Sequence, residues 1–249
     1  MVAIIKKPSE LTKLRLCGTI VADIHRELKK VVQVGITTLE LEQVTLDVLA
    51  KHGAKPSFLG YKGFPYATCI SVNEVIVHGF PGEYRLQEGD VVGFDVGAYK
   101  NGYHGDAAFT TIVGKATSKL DELLVATCEL CLTNAIKLIR DGVPVGAIGY
   151  VIEETASSFG FDIVRNYVGH GIGQNLHELP RIYNFGKYTE GLVLKEGMVI
   201  CIEPMLTIGS SYNYVLDDGW TIVTGTGNNA AHFEHQVIVC KNGAEVISV

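Results

Sequence analysis

DVVGFDVGAYKNGYHGDAAF, residues 90–109, predicts a β-hairpin around which the rest of the chain is arranged. The apolar residues after Asp90 favour a strand, and Asn101-Gly102 is a dipeptide typical of two-residue hairpin turns. With a two-residue loop, side-chain alternation places Asp95 and Asp106 on the same face, diagonal or directly opposite, roughly 5 to 8 Å apart. Two carboxylates at that separation must share a proton, shift their pKa values or bind a cation.

The second half of the chain repeats the sequence around the first acid of this hairpin. RLQEGDVVGFDVG, residues 85–97, is matched by VLKEGMVICIEPM, residues 193–205, with a leucine, a glutamate, a glycine and a valine in register. This register aligns Asp95 with Glu203. A carboxylate repeated on matching strands of two halves predicts a central site assembled from both of them.

Two further pairs of residues extend the repeat. Asp106 opens an apolar strand in the first half, and Glu234 in FEHQVIV opens one in the second half. His78 in VHGFP corresponds to His170 in GHGIG of the second half. The repeat therefore pairs acids and histidines as well as apolar positions.

Length and composition indicate an ordinary globular chain. A length of 249 residues allows one large domain or two small ones, and the repeat favours a single domain over 1–249, with halves of about 1–115 and 116–249. The hydrophobic fraction of 47% and charged fraction of 19% suit a good core. A net charge of -6 does not favour binding to nucleic acid or to an anionic membrane, so neither partner is expected.

No targeting segment is evident in the sequence. No apolar run approaches the roughly 20 residues that span a bilayer. The start, MVAIIKKPSE, lacks a signal-peptide layout, so we expect a cytoplasmic protein. Six cysteines are scattered through the chain, and disulfides are not expected in that compartment.

Capping signals predict four helices, two in each half, followed by strands. The first helix starts after Ser9, and the second starts at Thr37, where a glutamate three residues later completes a capping box. The third is capped by Ser118, and the fourth follows Pro144. A last hairpin is predicted from Trp220 to Cys240. The pattern of helices and antiparallel strands is that of an α+β fold.

The acids and histidine of the repeat form a plausible metal-ligand set, namely Asp95, Asp106, His170, Glu203 and Glu234. Oxygen ligands with a single imidazole suit Mn, Fe(II), Co or Zn at a catalytic position rather than a structural zinc site. Because this is more negative charge than one divalent ion balances, we expect two ions, bridged by carboxylates, that activate water for hydrolysis. The C-x-x-C of Cys128 and Cys131 lies on an apolar helical stripe and is predicted to be buried core.

These motifs also carry a family resemblance. VNEVIVHGFP, the two aspartates of the hairpin with HGD, GHGIG, LHELP, IEPM and FEHQVIV occur in the order and at the spacing of type I methionine aminopeptidases, over essentially the whole chain. The resemblance implies the pita-bread fold of peptidase family M24, in which a pseudo-two-fold repeat of antiparallel strands, covered by helices, surrounds a dimetal site. It also implies removal of the N-terminal methionine from new proteins and peptides whose second residue is small.

The resemblance further implies roles for single residues. Asp95 chelates one metal, His170 and Glu203 bind the other, and Asp106 and Glu234 bridge the two. Glu203 also acts as general base toward the attacking water, at hydrogen-bond reach of it.

Two more histidines and a hydrophobic pocket complete the site that the resemblance implies. His78 assists the leaving amine or the substrate backbone, and His177 stabilises the oxyanion. The methionine pocket takes aromatic and apolar residues from both halves, namely Phe58, Tyr61, Phe64, Cys69, Leu176 and Trp220.

The chain departs from the family pattern around this pocket. The family more often has Cys near Phe58, Tyr near Phe64, Phe near Leu176, an acid at Leu179 and Gln at His232. Phe58 is larger than Cys and would narrow the expected pocket, and Leu176 in place of Phe would widen it, so these departures bear on the preference for the substrate side chain and not on the chemistry. Of the remaining histidines, His25 and His52 are predicted at the surface, and His104 and His235, beside the metal acids, have at most an indirect role.

Two alternative functions remain open. A prolidase or Xaa-Pro aminopeptidase shares the fold and a similar ligand set, but generally carries an additional N-terminal domain. A non-enzymatic pita-bread binding protein has lost its ligands, whereas all five are present here. The family's small members are usually monomers, and ribosome association is compatible with an enzyme that acts on emerging chains.

Overall fold

The computed structural model describes residues 4–249, and the four predicted helices are present in it. They are α1 (Pro8–Val31), α2 (Thr38–Lys51), α3 (Lys119–Leu138) and α4 (Val145–Ser158). Thr37 and Ser118 cap α2 and α3 through their side-chain oxygens, as predicted. The prediction for α1 was wrong, because its cap is Lys7, whose backbone N–H donates to the Glu10 carboxylate at 2.7 Å.

The strands of residues 4–249 form four sheets, and every ladder is antiparallel. In chain order they are β1 (Lys55–Pro56), β2 (Thr68–Val72), β3 (Val75–Val77), β4 (Val91–Lys100), β5 (Tyr103–Ile112), β6 (Asp162–Ile163), β7 (Gly169–Gly171), β8 (Glu178–Ile182), β9 (Val199–Ile202), β10 (Met205–Thr207), β11 (Asn213–Val215), β12 (Ile222–Thr224), β13 (Ala230–His232), β14 (His235–Cys240) and β15 (Gly243–Val246). The sheet orders are β1-β4-β2 with β5 on β4, β13-β10-β6, β11-β12-β3 and β15-β14-β9-β7-β8.

The central hairpin β4–β5 has the predicted register. Asn101 and Gly102 form the two-residue turn, and both have positive φ, +53° and +84°. Two positive φ values match the right-handed twist of the flanking strands. Asp106 pairs with Gly97, two residues beyond Asp95, so the two acids are diagonal neighbours on one face.

The corresponding strand of the second half is interrupted at its acid. Glu203 follows β9 and is succeeded by Pro204, which has no N–H to donate to a ladder, and β10 begins one residue later. The predicted hairpin from Trp220 to Cys240 was wrong. Its strands belong to three sheets, and the final hairpin is β14–β15, because the turn forms beyond Cys240.

The two halves repeat one arrangement of backbone pairs. An isolated β-bridge pairs Thr37 with Arg85 in the first half. At the corresponding position of the second half, an isolated β-bridge pairs Pro144 with Val193. In the first half β1 and β2 pair with the two ends of β4. In the second half the corresponding strand is divided into β9 and β10, and β6 pairs with β10 while β7 pairs with β9. Each acid-bearing strand is therefore flanked in the same way.

A backbone bridge joins the halves at the centre of the molecule. The N–H of Glu234 donates to the carbonyl oxygen of Ala108 at 2.8 Å, and the reverse bond measures 3.3 Å. This pair fixes Glu234 two residues from Asp106 along β5. The acids of the second half are thereby brought against the central hairpin.

The helices cover the strands and bury a continuous core. α1 packs on β4 and β5, and His25 of α1 is buried, with Nε2 at 3.2 Å from the Ala107 carbonyl oxygen and its ring 4.7 Å from that of Phe109. The prediction that His25 lies at the surface was therefore wrong, because it sits on the strand-facing side of the helix. Cys128 and Cys131 are buried, as predicted. Within residues 4–249, no helix combines the length and apolarity needed to cross a bilayer.

Close packing of α1 on the hairpin generates a test of the fold. A Cβ added at Gly105 of β5 would lie 2.6 Å from the carbonyl carbon and oxygen of Cys17, a separation that backbone atoms do not tolerate. We expect Gly105→Ala to lower the free energy of unfolding by about 1–3 kcal/mol, measured by urea denaturation. The control is Gly243→Ala, also in a strand, where no atom lies within 4 Å. Equal stability of the two variants would contradict this packing.

Candidate active site

Every site residue predicted from the sequence lines one cavity of about 160 Å³ between the two halves. The lining residues are Phe58, Tyr61, Lys62, Phe64, Cys69, His78, Asp95, Asp106, His170, Leu176, His177, Glu203, Trp220 and Glu234. Lys62 is the one member that the sequence reasoning did not anticipate. The residues come from strands and loops of both halves, so the cavity depends on the interface between them.

The five candidate ligands meet at the floor of this cavity. Nε2 of His170 lies 3.6 Å from Oε1 of Glu203 and 3.8 Å from Oδ2 of Asp106. One ligand atom each of Asp106, His170 and Glu234 lies within 4.8 Å of the others. Asp95 joins them as the diagonal neighbour of Asp106. These separations allow several side chains to reach the same ion.

Burial sets the charge state of these side chains. Desolvation raises the pKa of Asp95 to about 7. Desolvation, reinforced by the neighbouring carboxylates, raises the pKa values of Asp106, Glu203 and Glu234 well above the ordinary range. Burial also lowers the pKa of His170 to about 4, which leaves a neutral imidazole at neutral pH. A neutral imidazole is the form that binds metals.

The donor atoms fit a divalent metal ion. Buried oxygens of Asp95, Asp106 and Glu234 have no hydrogen-bond partner, and no lysine or arginine within residues 4–249 forms an ion pair with any of the four acids. Unpaired buried oxygens are costly. A cation among them removes that cost, and oxygen with one imidazole nitrogen is a ligand set that Mn, Fe(II), Co and Zn accept.

Cys201 belongs to the same cluster, and the sequence reasoning missed it. Its sulfur lies within 4.8 Å of the ligand atoms of Asp106, His170 and Glu234. Burial raises the pKa of the thiol well above the ordinary range, so it stays protonated at neutral pH. The available signal was alternation, because Cys201 of β9 precedes Glu203 by two residues in extended chain.

Two histidines flank the carboxylates. His78 has φ of +60°, a left-handed conformation that costs energy for a residue other than glycine and that is concentrated at functional sites. Its ring lies 6.0 Å from that of Trp220, and burial lowers its pKa. The ring of His177 lies 4.3 Å from that of His170. Desolvation and the neighbouring His170 lower the pKa of His177, so this imidazole is also neutral at neutral pH.

Tyr61 is bonded directly to one of these histidines. Its hydroxyl oxygen lies 2.7 Å from Nδ1 of His177. Desolvation raises the pKa of Tyr61, which keeps the hydroxyl protonated and able to donate. When the hydroxyl donates to Nδ1, the proton of the neutral imidazole lies on Nε2. The sequence could not show this bond, because the two residues are far apart in the chain.

Aromatic and apolar side chains form the remaining wall of the cavity. The rings of Phe64 and Trp220 are 5.1 Å apart in an edge-to-face arrangement. Phe58, Cys69 and Leu176 are buried in the same cluster. The wall is therefore apolar while the floor is acidic, a combination typical of a site that binds an apolar side chain beside the reacting group.

The other histidines near the acids do not line the cavity. Nδ1 of His104 lies 2.9 Å from the Ser57 hydroxyl, and Nδ1 of His235 lies 3.1 Å from that of Ser248. His232 is buried with its Nε2 3.9 Å from Oε2 of Glu203, too far for a hydrogen bond. His52 lies 2.9 Å from Asp23 and is partly exposed, away from the cavity.

The chain is similar to known proteins over almost its whole length. Methionine aminopeptidase 1 of Bacillus subtilis is 43% identical over 245 residues, covering 98% of each chain. The methionine aminopeptidase of Aquifex aeolicus is 42% identical over 250 residues, covering 96% of each chain. The crystal structure of methionine aminopeptidase from Thermotoga maritima superimposes with a TM-score of 0.97 at 44% identity, over 99% of both chains.

More distant structures share the fold alone. Prolidase from Pyrococcus furiosus has a TM-score of 0.81 at 24% identity, over 99% of this chain and 66% of that one. The expected α+β pita-bread fold is confirmed by these neighbours. The sequence also matches the metallopeptidase M24 family over residues 12–241. With that match and full-length relatives above 40% identity, the chain belongs to metallopeptidase family M24.

Proposed function

We propose that this protein is an aminopeptidase that removes the N-terminal methionine from new proteins and peptides with a small second residue, using two divalent metal ions. The observation that carries the proposal is a small apolar cavity whose floor holds four carboxylates and one imidazole. The relatives that match over almost the whole chain bear the name methionine aminopeptidase. Residues 1–249 are proposed to act as a single catalytic domain.

The proposed ligands divide between two positions. Asp95 serves one ion, and His170 and Glu203 serve the other. Asp106 and Glu234 would contribute to both positions, and their unpaired buried oxygens and the bridge that holds Glu234 against β5 support this. Two divalent ions balance the charge of four ionised carboxylates. Co, Mn, Fe(II) and Zn remain the candidate metals.

The cavity wall is proposed to bind the methionine side chain. Its volume of about 160 Å³ limits what can enter beside the acids. Methionine is unbranched, and its thioether makes favourable contacts with aromatic rings such as those of Phe64 and Trp220. Phe58, Tyr61, Cys69 and Leu176 complete the proposed pocket.

The protein side chains are proposed to divide the remaining work. Bound divalent ions supply polarisation of the scissile carbonyl group and a lowered pKa for water. Glu203 accepts the proton from the attacking water. His177 donates a hydrogen bond through Nε2 to the developing oxyanion, and the Tyr61 hydroxyl holds its ring in that tautomer. His78 contacts the leaving amine or the substrate backbone.

The proposed setting follows from the substrate. New polypeptide N-termini appear at ribosomes in the cytoplasm, so we propose that the protein acts there, as a monomer. All six cysteines are free thiols, which suits a reducing compartment.

A peptide assay separates this function from its rivals. The metal-loaded full chain is incubated with Met-Ala-Ser and with an Ala-Pro-Ser peptide, and released amino acids are quantified. We expect free methionine from the first peptide and no cleavage of the second. Proline-dependent cleavage would instead indicate a prolidase-like enzyme, and no release from either would indicate a binding protein.

Glu203→Gln tests the proposed base. Loss of the proton acceptor is expected to lower kcat on Met-Ala-Ser by at least about 100-fold, the scale of general-base catalysis. The matched control is Glu190→Gln, because Glu190 is exposed and lies outside the cavity. Thermal unfolding verifies that both variants are folded. Near-normal turnover by Glu203→Gln would contradict the assignment.

Tyr61→Phe tests the positioning of His177. Loss of one hydrogen bond of ordinary strength, about 0.5–1.5 kcal/mol, is expected to lower kcat by about 3- to 10-fold. The ring remains in the pocket wall, so KM for Met-Ala-Ser should stay nearly unchanged. Tyr66→Phe is the control, because no hydrogen bond of its hydroxyl occurs within residues 4–249. If Tyr61 serves only as pocket wall, both variants will keep normal kcat.

A further inference from the structure

The cavity opens into a larger outer chamber of about 780 Å³. The two spaces share the residues of the proposed reacting centre, among them His78, His170 and His177. Asn175 and Arg181 line the chamber but not the inner cavity. If the proposed function holds, the methionine occupies the inner cavity and the substrate residues after the cleaved bond must lie in this chamber.

Arg181 is placed to face the substrate. It pairs with His170 across the β7–β8 ladder, and residues directly opposite each other in an antiparallel pair extend from the same face of the sheet. The side chain is exposed and lines the chamber. Within residues 4–249 its guanidinium forms no hydrogen bond or ion pair, so its donors are available to a ligand.

Lys62 adds a second positive charge to the chamber. It lies in the short 3₁₀ turn Tyr61–Gly63, has φ of +51° and lines both the inner cavity and the chamber. Its ammonium nitrogen is 5.3 Å from the centre of the Tyr61 ring, and it has no carboxylate partner among the described residues.

The acidic side chains of the chamber are already engaged. Glu178 forms a nearly buried ion pair with Lys6, with side-chain exposures of 5% and 4%. Asp95 and Glu203 lie at the floor, where the proposed function assigns them to metal ions. The outer wall therefore carries an uncompensated positive charge.

We propose that Arg181 and Lys62 form a subsite for an acidic side chain at the third or fourth residue of the substrate. The planar guanidinium of Arg181 can bind a carboxylate through two parallel hydrogen bonds. The exposed ammonium of Lys62 attracts the same charge without fixed geometry. The enzyme consequently selects among substrates by charge beyond the small second residue as well as by the methionine.

The experiment compares kcat/KM of the metal-loaded full chain on matched peptides. The series is Met-Ala-Xaa-Ser-Gly and Met-Ala-Ser-Xaa-Gly, with glutamate, glutamine or lysine as Xaa. Glutamate in at least one position is expected to raise kcat/KM about two- to fivefold over glutamine, the scale of an exposed ion pair. Lysine is expected to lower it. The preference should weaken at high ionic strength because salt screens exposed charges.

Variants assign the preference to the two cations. Arg181→Gln is expected to remove most of the glutamate advantage, measured as the ratio of kcat/KM for the glutamate and glutamine peptides, and Arg181→Lys should keep part of it. Lys62→Gln should have a smaller effect in the same direction. Lys119→Gln, an equal change of charge on α3 outside the chamber, is the control and should retain the full preference.

The outcomes distinguish failure of this inference from failure of the proposed function. Equal kcat/KM for all three residues at both positions would overturn the subsite while leaving methionine removal intact. An unchanged preference in Arg181→Gln and in Lys62→Gln would also overturn it. Absence of methionine release from every peptide would instead contradict the proposed function itself.

Discussion

Four buried carboxylates share one small space, and the rest of the structure is arranged to bring them there and keep them close. Ligand atoms of Asp106 and Glu234 lie no more than 4.8 Å apart. At that separation two ionised carboxylates repel by about 3 kcal/mol, even with an effective dielectric constant of about 20. A single ordinary hydrogen bond contributes about 1 kcal/mol and cannot offset this. The acids must therefore hold protons or bind cations, and the proposed function relies on bound cations.

The duplicated scaffold explains how such a crowded cluster can form. In the first half Asp95 and Asp106 lie on the paired strands β4 and β5, and in the second half Glu203 and Glu234 lie beside each other just beyond the paired ends of β9 and β14. The bridge between Ala108 and Glu234 joins the two sets, so neither half contains the site alone. The apolar pocket and the outer chamber lie along the same interface. The proposed positions of the methionine, of the cleaved bond and of the following substrate residues therefore all depend on how the two halves meet.

Much of this arrangement could be predicted from the sequence because local signals agree with the tertiary structure. The Asn101-Gly102 turn fixes the register of β4 and β5, and hence the diagonal placement of Asp95 and Asp106. Capping residues fixed the starts of α2 and α3. The start of α1 was predicted wrongly, because the helix is capped at Lys7 and not at the expected serine. The last hairpin was also predicted wrongly, because the short strands near the C-terminus pair with strands that are distant in sequence.

The parts that could not be predicted depend on contacts between residues far apart in the chain. Tyr61 meets His177 and Arg181 faces the chamber only after loops from both halves have packed together. The burial of His25 reflects which side of α1 meets the strands, and a histidine on a helix carries no sequence signal for that. Cys201 could have been found by counting alternate residues back from Glu203.

Calorimetric titration of the metal-free protein with Mn²⁺ near pH 7 tests the central claim most directly. Protein that has not yet bound metal should carry protons on its crowded acids, because burial raises the pKa of Asp95 to about 7 and the pKa values of the other three acids well above their ordinary range. We expect each chain to take up two ions and to release protons as it does so. The proton release is measured as a binding heat that varies with the ionisation enthalpy of the buffer. Asp106→Asn should reduce both quantities. Failure to bind Mn²⁺, or binding with no proton release in any buffer, would contradict the claim that these carboxylates share metal ions.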